Sequence, residues 1–242
     1  MIRSATLLLF AALLAAPSAA HADALDEARV RQIVAETIRE NPEIVLEAIA
    51  VLRERQAAAG ATLASDFLAA ERGLIERDPN APVLGNPDGD VTVVEFFDYN
   101  CPYCRRAAPE VSALIAADPN VRLVFREWPI LGEGSVFAAR ASLATRAQGK
   151  YAEFHEAMMR LKGRAEEATV LRVAAEIGLD IDRLRQDMEA PEIEEHIATS
   201  MRLTRGLGFT GTPSFVIGDA LVPGLVEQAQ LADYVAKSRE VK

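Results

Sequence analysis

Reactive side chains are scarce in this chain: 242 residues carry two cysteines, one tryptophan and three histidines. The two sulfurs, Cys101 and Cys104, stand three positions apart. A bridge between them closes too small a loop to staple a fold, so no disulfide framework holds this protein together. A zinc site needs further ligands, and beyond residue 22 only His155 and His196 remain to offer them. Cationic charge is short as well. Twenty-six Lys and Arg face 36 Asp and Glu, a net charge of −10. That balance lacks the basic footprint of a phosphate-backbone binder, so a nucleic-acid partner is not expected. Long apolar runs are missing beyond the first residues, and no internal repeat or low-complexity tract appears apart from alanine-rich stretches.

The one apolar run sits at the start. Arg3 precedes Leu7 to Ala16, which is too short to span a bilayer comfortably, and Pro17 and Ala20-His21-Ala22 follow. Residues 1–22 read as a cleaved export signal, with the mature chain starting near Asp23. The expected compartment is a bacterial periplasm or a similar space, where disulfides persist.

Residues 23–60 read as amphipathic helix. Leu25, Ala28, Ile33, Val34 and Ile38 recur at helical spacing. Asn41-Pro42 starts a second helix carrying Ile44, Val45, Ala48, Ile49 and Leu52, because Asn caps and Pro suits the first turn. So small a segment cannot bury its own apolar face; it docks either on the main domain or on another copy of itself, and self-association of residues 23–60 is the leading expectation. Ala57 to Ala61 reads as a helix end or hinge. Residues 61–81 read as a helical linker, with its helix from about Thr62 to Arg77.

From residue 82 the periodicity changes. Val83-Leu84 is a short strand, and Gly85 to Asp90 a turn cluster. Val91 to Phe97 is a buried strand, Pro102 to about Ala117 a helix, and Val121 to Phe125 a strand that Trp128 closes. A helical block over about 135–205 breaks at Gly149, Gly163, Gly178 and Pro191. Strands resume at Ser214 to Ile217 and Leu221-Val222 across a Gly218-Asp219 turn, and a helix closes the chain from about Val226 to Ser238. This order predicts an α/β sheet with helices on its faces.

The chemistry collects in Val91-Thr-Val-Val-Glu-Phe-Phe-Asp-Tyr-Asn-Cys-Pro-Tyr-Cys104. Cys101 falls at a helix start, where unpaired N–H groups and the helix dipole favour an anion and lower a thiol pKa. Cys104 lies one turn on, within bridging reach, so the pair can alternate between dithiol and disulfide. Pro102 suits the first turn, and Tyr103 fills the dipeptide that tunes the potential. Redox use is the leading reading. A soft Cu(I) site on Cys101 and Cys104 is the metal alternative. Glu95 stands in an apolar strand, where a carboxylate either pairs with an arginine or relays the Cys104 proton. Gly211-Thr212-Pro213 before a strand suits a tight bend, and the Thr212 backbone would offer its N–H and C=O to an extended substrate. His155 and His196 read as solvated or ordinary helix histidines, and Glu192 to Glu195 as a solvated face.

Glu95, Cys101-Pro-Tyr-Cys104 and Gly211-Thr-Pro213, in this order around a helical insertion, resemble the DsbA-like thioredoxin-fold family of periplasmic thiol-disulfide oxidoreductases. The resemblance covers residues 82–242. It implies a thioredoxin fold with an inserted helical domain. It also implies Cys101 as an exposed nucleophile, Cys104 as the resolving thiol, Glu95 as the buried acid and Pro213 as a cis-proline facing the pair. The dipeptide of the best-known DsbA oxidases is Pro-His, and their cis-proline often follows Val. Pro102-Tyr103 and Thr212 depart from both and lean away from a strong oxidant. With the N-terminal helices they look more like ScsC-type members, linked to suppression of copper sensitivity. That likeness implies a protein disulfide isomerase or reductase, a homo-oligomer with a trimer favoured, exported disulfide-containing proteins as substrates, and a ScsB/DsbD-like membrane thiol reductase as electron donor. A DsbA-type dithiol oxidase and a copper(I)-handling thiol protein are the alternatives. No cofactor is expected.

Overall fold

The computed structural model describes residues 26–240. The export segment over 1–22 therefore lies outside the described residues, as does the expected mature start at Asp23. Two compact units divide the chain, Met1–Arg55 and Gln56–Lys242.

In the first unit, helix α1 spans Glu27–Glu40. Asp26 caps it, its carboxylate accepting from the Arg29 N–H at 2.7 Å. Helix α2 spans Glu43–Arg77, and the unit boundary falls within it. The helix end considered at 57–61 is not found, since the helix runs through Gly60. Alanine is the best helix former, and the alanines flanking Gly60 offset the roughly 1 kcal/mol that one glycine costs. Inside the first unit α1 buries no residue. Val30, Ile33, Val34, Ile38, Ile44, Val45, Ile49 and Leu52 are all exposed.

The second unit is built on five strands: β1 (Val83–Gly85), β2 (Val91–Phe97), β3 (Val121–Glu127), β4 (Ser214–Ile217) and β5 (Ala220–Pro223). Their order across the sheet is β1-β3-β2-β4-β5, with β2 and β3 parallel and the other pairs antiparallel. The parallel pair needs a crossover, which helix α3 (Pro102–Ala117) supplies. Every residue of β2 and β3 is buried, as central strands covered on both faces require.

Strand periodicity sorts β2 between two cores. Val91, Val93 and Phe97 face α3 and the closing helix α9 (Gln228–Glu240), while Val94 and Phe96 pack with Leu68 and Ile75 of α2. Each such fully buried side chain contributes on the order of 1.5–3 kcal/mol of burial free energy. Glu95 shares the parity of Val93 and Phe97 and so looks toward α3. Between β3 and β4 come helices α4 (Glu133–Ala144), α5 (Tyr151–Met159), α6 (Glu167–Glu176), α7 (Ile181–Asp187) and α8 (Pro191–Gly206), with a 3-10 turn at Thr145–Gln148. Helix α8 also closes over the second core, where Gly206 lets the Phe67 ring approach; a Cβ there would lie 2.3 Å from it.

His155 and His196 do lie on helices, but their reading as solvated is corrected by the structure, for both are buried. The His155 ring packs among Phe97, Tyr99, Phe125 and Tyr151, and burial pushes it down to about 4. His196 Nε2 stands 2.9 Å from Glu127 Oε2. Tyr151 donates to the other Glu127 oxygen at 2.7 Å. Helical periodicity in a block flanked by charges could not reveal these buried polar partners.

Candidate active site

Cys101 is the N-cap of α3, with extended backbone angles, and Pro102 takes the first helical position. Both cysteines are free thiols. Cys101 is only 4 % exposed, and Cys104, one turn along, is fully buried. The exposed nucleophile that the resemblance implied is thus largely covered. The Gly211-Thr-Pro213 bend explains part of this, because the Cys101 thiol donates to the Thr212 carbonyl at 3.2 Å. The Thr212–Pro213 peptide is cis. Tyr103 points the other way, 54 % exposed, with the Arg106 guanidinium over its ring.

The two sulfurs are electrostatically unlike. A hydrogen bond from the Cys104 thiol draws Cys101 down to about 5; burial opposes this, and the Thr212 side chain and the backbone N–H groups of Cys104 and Tyr103 assist it. The contact to the Thr212 carbonyl belongs to the protonated thiol and is given up on ionisation, when the donors take over. Burial drives Cys104 far above the ordinary thiol value, reinforced by its hydrogen bond to Cys101 and by the charge of Glu95. One sulfur is therefore a thiolate at neutral pH and the other a thiol.

Glu95 lies fully within the protein beneath this pair. Burial, then the Cys101 charge, raises its carboxyl to about 8. Its Oε1 has no hydrogen-bond partner among the described residues, so the arginine pairing considered from sequence is not made there. Glu95 and His155 line a cleft of about 660 Å³ between α3 and α5, together with Arg105, Val111, Phe125 and Met159. The described residues hold no group of three or more His, Cys, Asp or Glu side chains fit for a metal ion. Nor is any helix among them long and apolar enough to cross a membrane.

Sequence reasoning passed over the residues that hang the turn in place. Asp98 Oδ1 accepts from the Asn100 N–H at 2.7 Å, and the Asp98 carbonyl accepts from the Cys101 N–H at 3.0 Å. Asp98 Oδ2 accepts from the N–H groups of Ile130 and Leu131 at 2.8 and 3.0 Å. The Asn100 side chain pairs with the peptide groups of Ala165, and Arg105 donates to the carbonyls of Tyr99, Leu161 and Gly163. Short polar side chains just ahead of a helix start were the available clue, since Asp and Asn fold back on nearby backbone. Their long-range partners had no sequence signature.

Comparison with known proteins follows the same outline. A family model described as DSBA-like thioredoxin domain matches residues 92–236. One described as Copper resistance protein ScsC N-terminal domain matches residues 26–59. Among solved structures, the chain is similar to a thioredoxin-like oxidoreductase from Silicibacter pomeroyi DSS-3, at 67% identity and a TM-score of 0.69 over 70% of this chain and 98% of that one. It is also similar to a linker-deletion mutant of Proteus mirabilis ScsC, at 28% identity and a TM-score of 0.69 over 93% and 100% of the two chains. Among curated proteins it is 33% identical over 213 residues to a Na(+)/H(+) antiporter NhaA 3 of Salinispora tropica, a match taking in 85% of this chain and 32% of that protein. The chain thus spans about a third of the length of that curated relative.

Proposed function

Because the chain belongs to the DSBA-like thioredoxin family, we propose that it is a periplasmic thiol-disulfide oxidoreductase working mainly as a protein disulfide isomerase and reductase. The observation that carries this reading is the split between the two thiols, one drawn down to about 5 and its neighbour held protonated.

Cys101 thiolate attacks a mispaired disulfide of an exported protein. One substrate sulfur joins Cys101 in a mixed disulfide and the other leaves as a thiolate. In isomerisation another substrate thiolate attacks the mixed disulfide, releases Cys101 thiolate, and no electrons are gained or lost overall. In the reductive escape, Cys104 attacks Cys101 instead, releasing the substrate as a dithiol and leaving a Cys101–Cys104 disulfide. A membrane thiol reductase then returns two electrons.

Glu95 suits the proton step of that escape. While Cys101 is a thiolate, its charge helps keep Glu95 protonated. Mixed-disulfide formation removes that charge, so Glu95 can lose its proton to water in the cleft it lines, and the carboxylate so formed can then take the proton of Cys104 as that thiol attacks. Pro213 and Thr212 would border the substrate, the Thr212 carbonyl standing 3.2 Å from the nucleophile. An extended peptide pairing there would replace the thiol as that carbonyl's partner. Pro102 and Tyr103 set the start of α3 and the face beside the sulfur.

The apolar residues exposed on α1 and the first half of α2 support an oligomer, with a trimer favoured, built through residues 23–60. Several thiolates around one substrate would raise the effective concentration of the second attack.

A dithiol oxidase is the second reading, and the same low Cys101 value favours it. A stabilised thiolate stabilises the reduced state and makes the disulfide more oxidising. The test compares scrambled and fully reduced ribonuclease as substrates of the full chain, with Cys101→Ser as the blank. Reactivation of scrambled ribonuclease, lost in Cys101→Ser, supports the isomerase. Fast oxidation of reduced ribonuclease with no repair of the scrambled form selects the oxidase. Inactivity on both overturns thiol exchange altogether.

A further inference from the structure

Asn100 precedes the nucleophile, and its side chain reaches away from the thiols. Its Nδ2 donates to Ser135 Oγ at 3.1 Å and to the Ala165 carbonyl at 3.2 Å, and its Oδ1 accepts from the Ala165 N–H at 2.8 Å. One amide therefore joins three pieces of chain: the active-site turn, the first turn of α4, and the loop between α5 and α6. The junction is tight as well as bonded. A Cβ on Gly134 would stand 2.3 Å from the Ala165 carbonyl oxygen. The loop entering α4 carries Ile130 and Leu131, and the first turn of α4 carries Val136, all three exposed. Asp98 holds that loop through the N–H groups of Ile130 and Leu131, and Asn100 holds the helix turn that follows it at Ser135.

We propose that Asn100 is a positioning residue that keeps the apolar rim of Ile130, Leu131 and Val136 in register with Cys101, so that a protein substrate engages the rim and the nucleophile together. This rests on the thiol-exchange reading above. The amide touches neither sulfur, so its effect runs through the rim. Once the tie is cut, the rim is correctly seated for only a fraction of the time. The apparent affinity for a substrate that needs it falls by that fraction, while the bound complex reacts as before. The effect therefore lands on KM and not on kcat. A role confined to stability would lower the melting temperature and leave both constants of the folded protein alone.

Three full-length variants test it: Asn100→Ala, which removes the amide; Ser135→Ala, which removes one partner; and Gly134→Ala, which pries the junction open by contact. Steady-state kinetics on scrambled ribonuclease should show KM rising about five-fold in Asn100→Ala and Gly134→Ala, and less in Ser135→Ala, with kcat within about two-fold of the parent. Asn100→Ala and Gly134→Ala combined should do no more than either alone, since both undo one junction. Unchanged KM in folded Gly134→Ala and Asn100→Ala overturns the proposal, as does a loss confined to kcat or an additive double variant. Should Asn100→Ala fail to fold, Gly134→Ala and Ser135→Ala still decide. If the parent itself does not act on scrambled or reduced ribonuclease, the functional reading has failed and the inference falls with it.

Discussion

At the scale of single residues, three ionisable groups share one buried corner and push one another apart. Cys101 is drawn down to about 5, Cys104 far up and Glu95 up to about 8. Thiolate absorbance of the reduced protein should titrate with a midpoint near 5, and a midpoint near the ordinary 9.0 would remove the premise of the mechanism. Stability follows with opposite signs. Folded Cys101 binds fewer protons than the unfolded thiol between about 5 and 9.0, so it contributes stability above 9.0 that is lost as pH falls through 5. Folded Glu95 binds more protons than the unfolded carboxyl between 4.5 and about 8, so its contribution is complete below 4.5 and lost as pH rises through 8. In the reduced protein the two slopes oppose each other. Cys101→Ser removes one together with the charge that helps hold Glu95 up, so the window closes somewhat below 8, but burial remains the larger cause and the unfolding free energy of the variant should still fall as pH rises above 4.5. Adding Glu95→Gln should flatten that slope and recover about 1–3 kcal/mol at its alkaline end. Denaturant unfolding across pH checks this, and a Cys101→Ser profile without the fall would show that Glu95 ionises freely.

At the scale of elements, close approach between helices decides what sequence can be tolerated. Gly206 ends α8 where Phe67 of α2 crosses it, with the ring carbons 2.3 to 2.5 Å from where a Cβ would stand. The ring is held by the second core and cannot simply swing aside. Gly206→Ala should cost about 1–3 kcal/mol as the helices are forced apart, although alanine is the better helix former. Chemical unfolding measures it, and a stabilised variant would mean the contact is loose.

At the scale of the whole molecule, one unit packs two cores, while among the described residues of the other the apolar side chains of α1 and the start of α2 are exposed. Val34 and Leu52 are 51% and 55% exposed on α1 and α2. If this face assembles copies of the chain, Val34→Glu with Leu52→Glu should lower the solution mass to that of a monomer, because charges at the centre of an apolar contact are left unpaired. Light scattering over a concentration series gives the answer. An unchanged mass above the monomer would place assembly elsewhere, and a monomeric parent would end the oligomer proposal.

Sequence alone determined the buried strand at Val91 to Phe97, the helix start at Cys101-Pro102, the helical block between strands and the returning hairpin. These are local effects of period, capping and turn chemistry, written within a few residues of where they act. It also picked out Glu95, because a carboxylate is conspicuous in an apolar strand. Tertiary structure decided what lay around those residues. It put the Thr212 carbonyl on Cys101 across 111 positions, tied Asn100 to Ala165 across 65, and sank His155 and His196 into the interior. Burial and long-range hydrogen bonds depend on how separate segments pack, and no window of sequence around one residue contains that information.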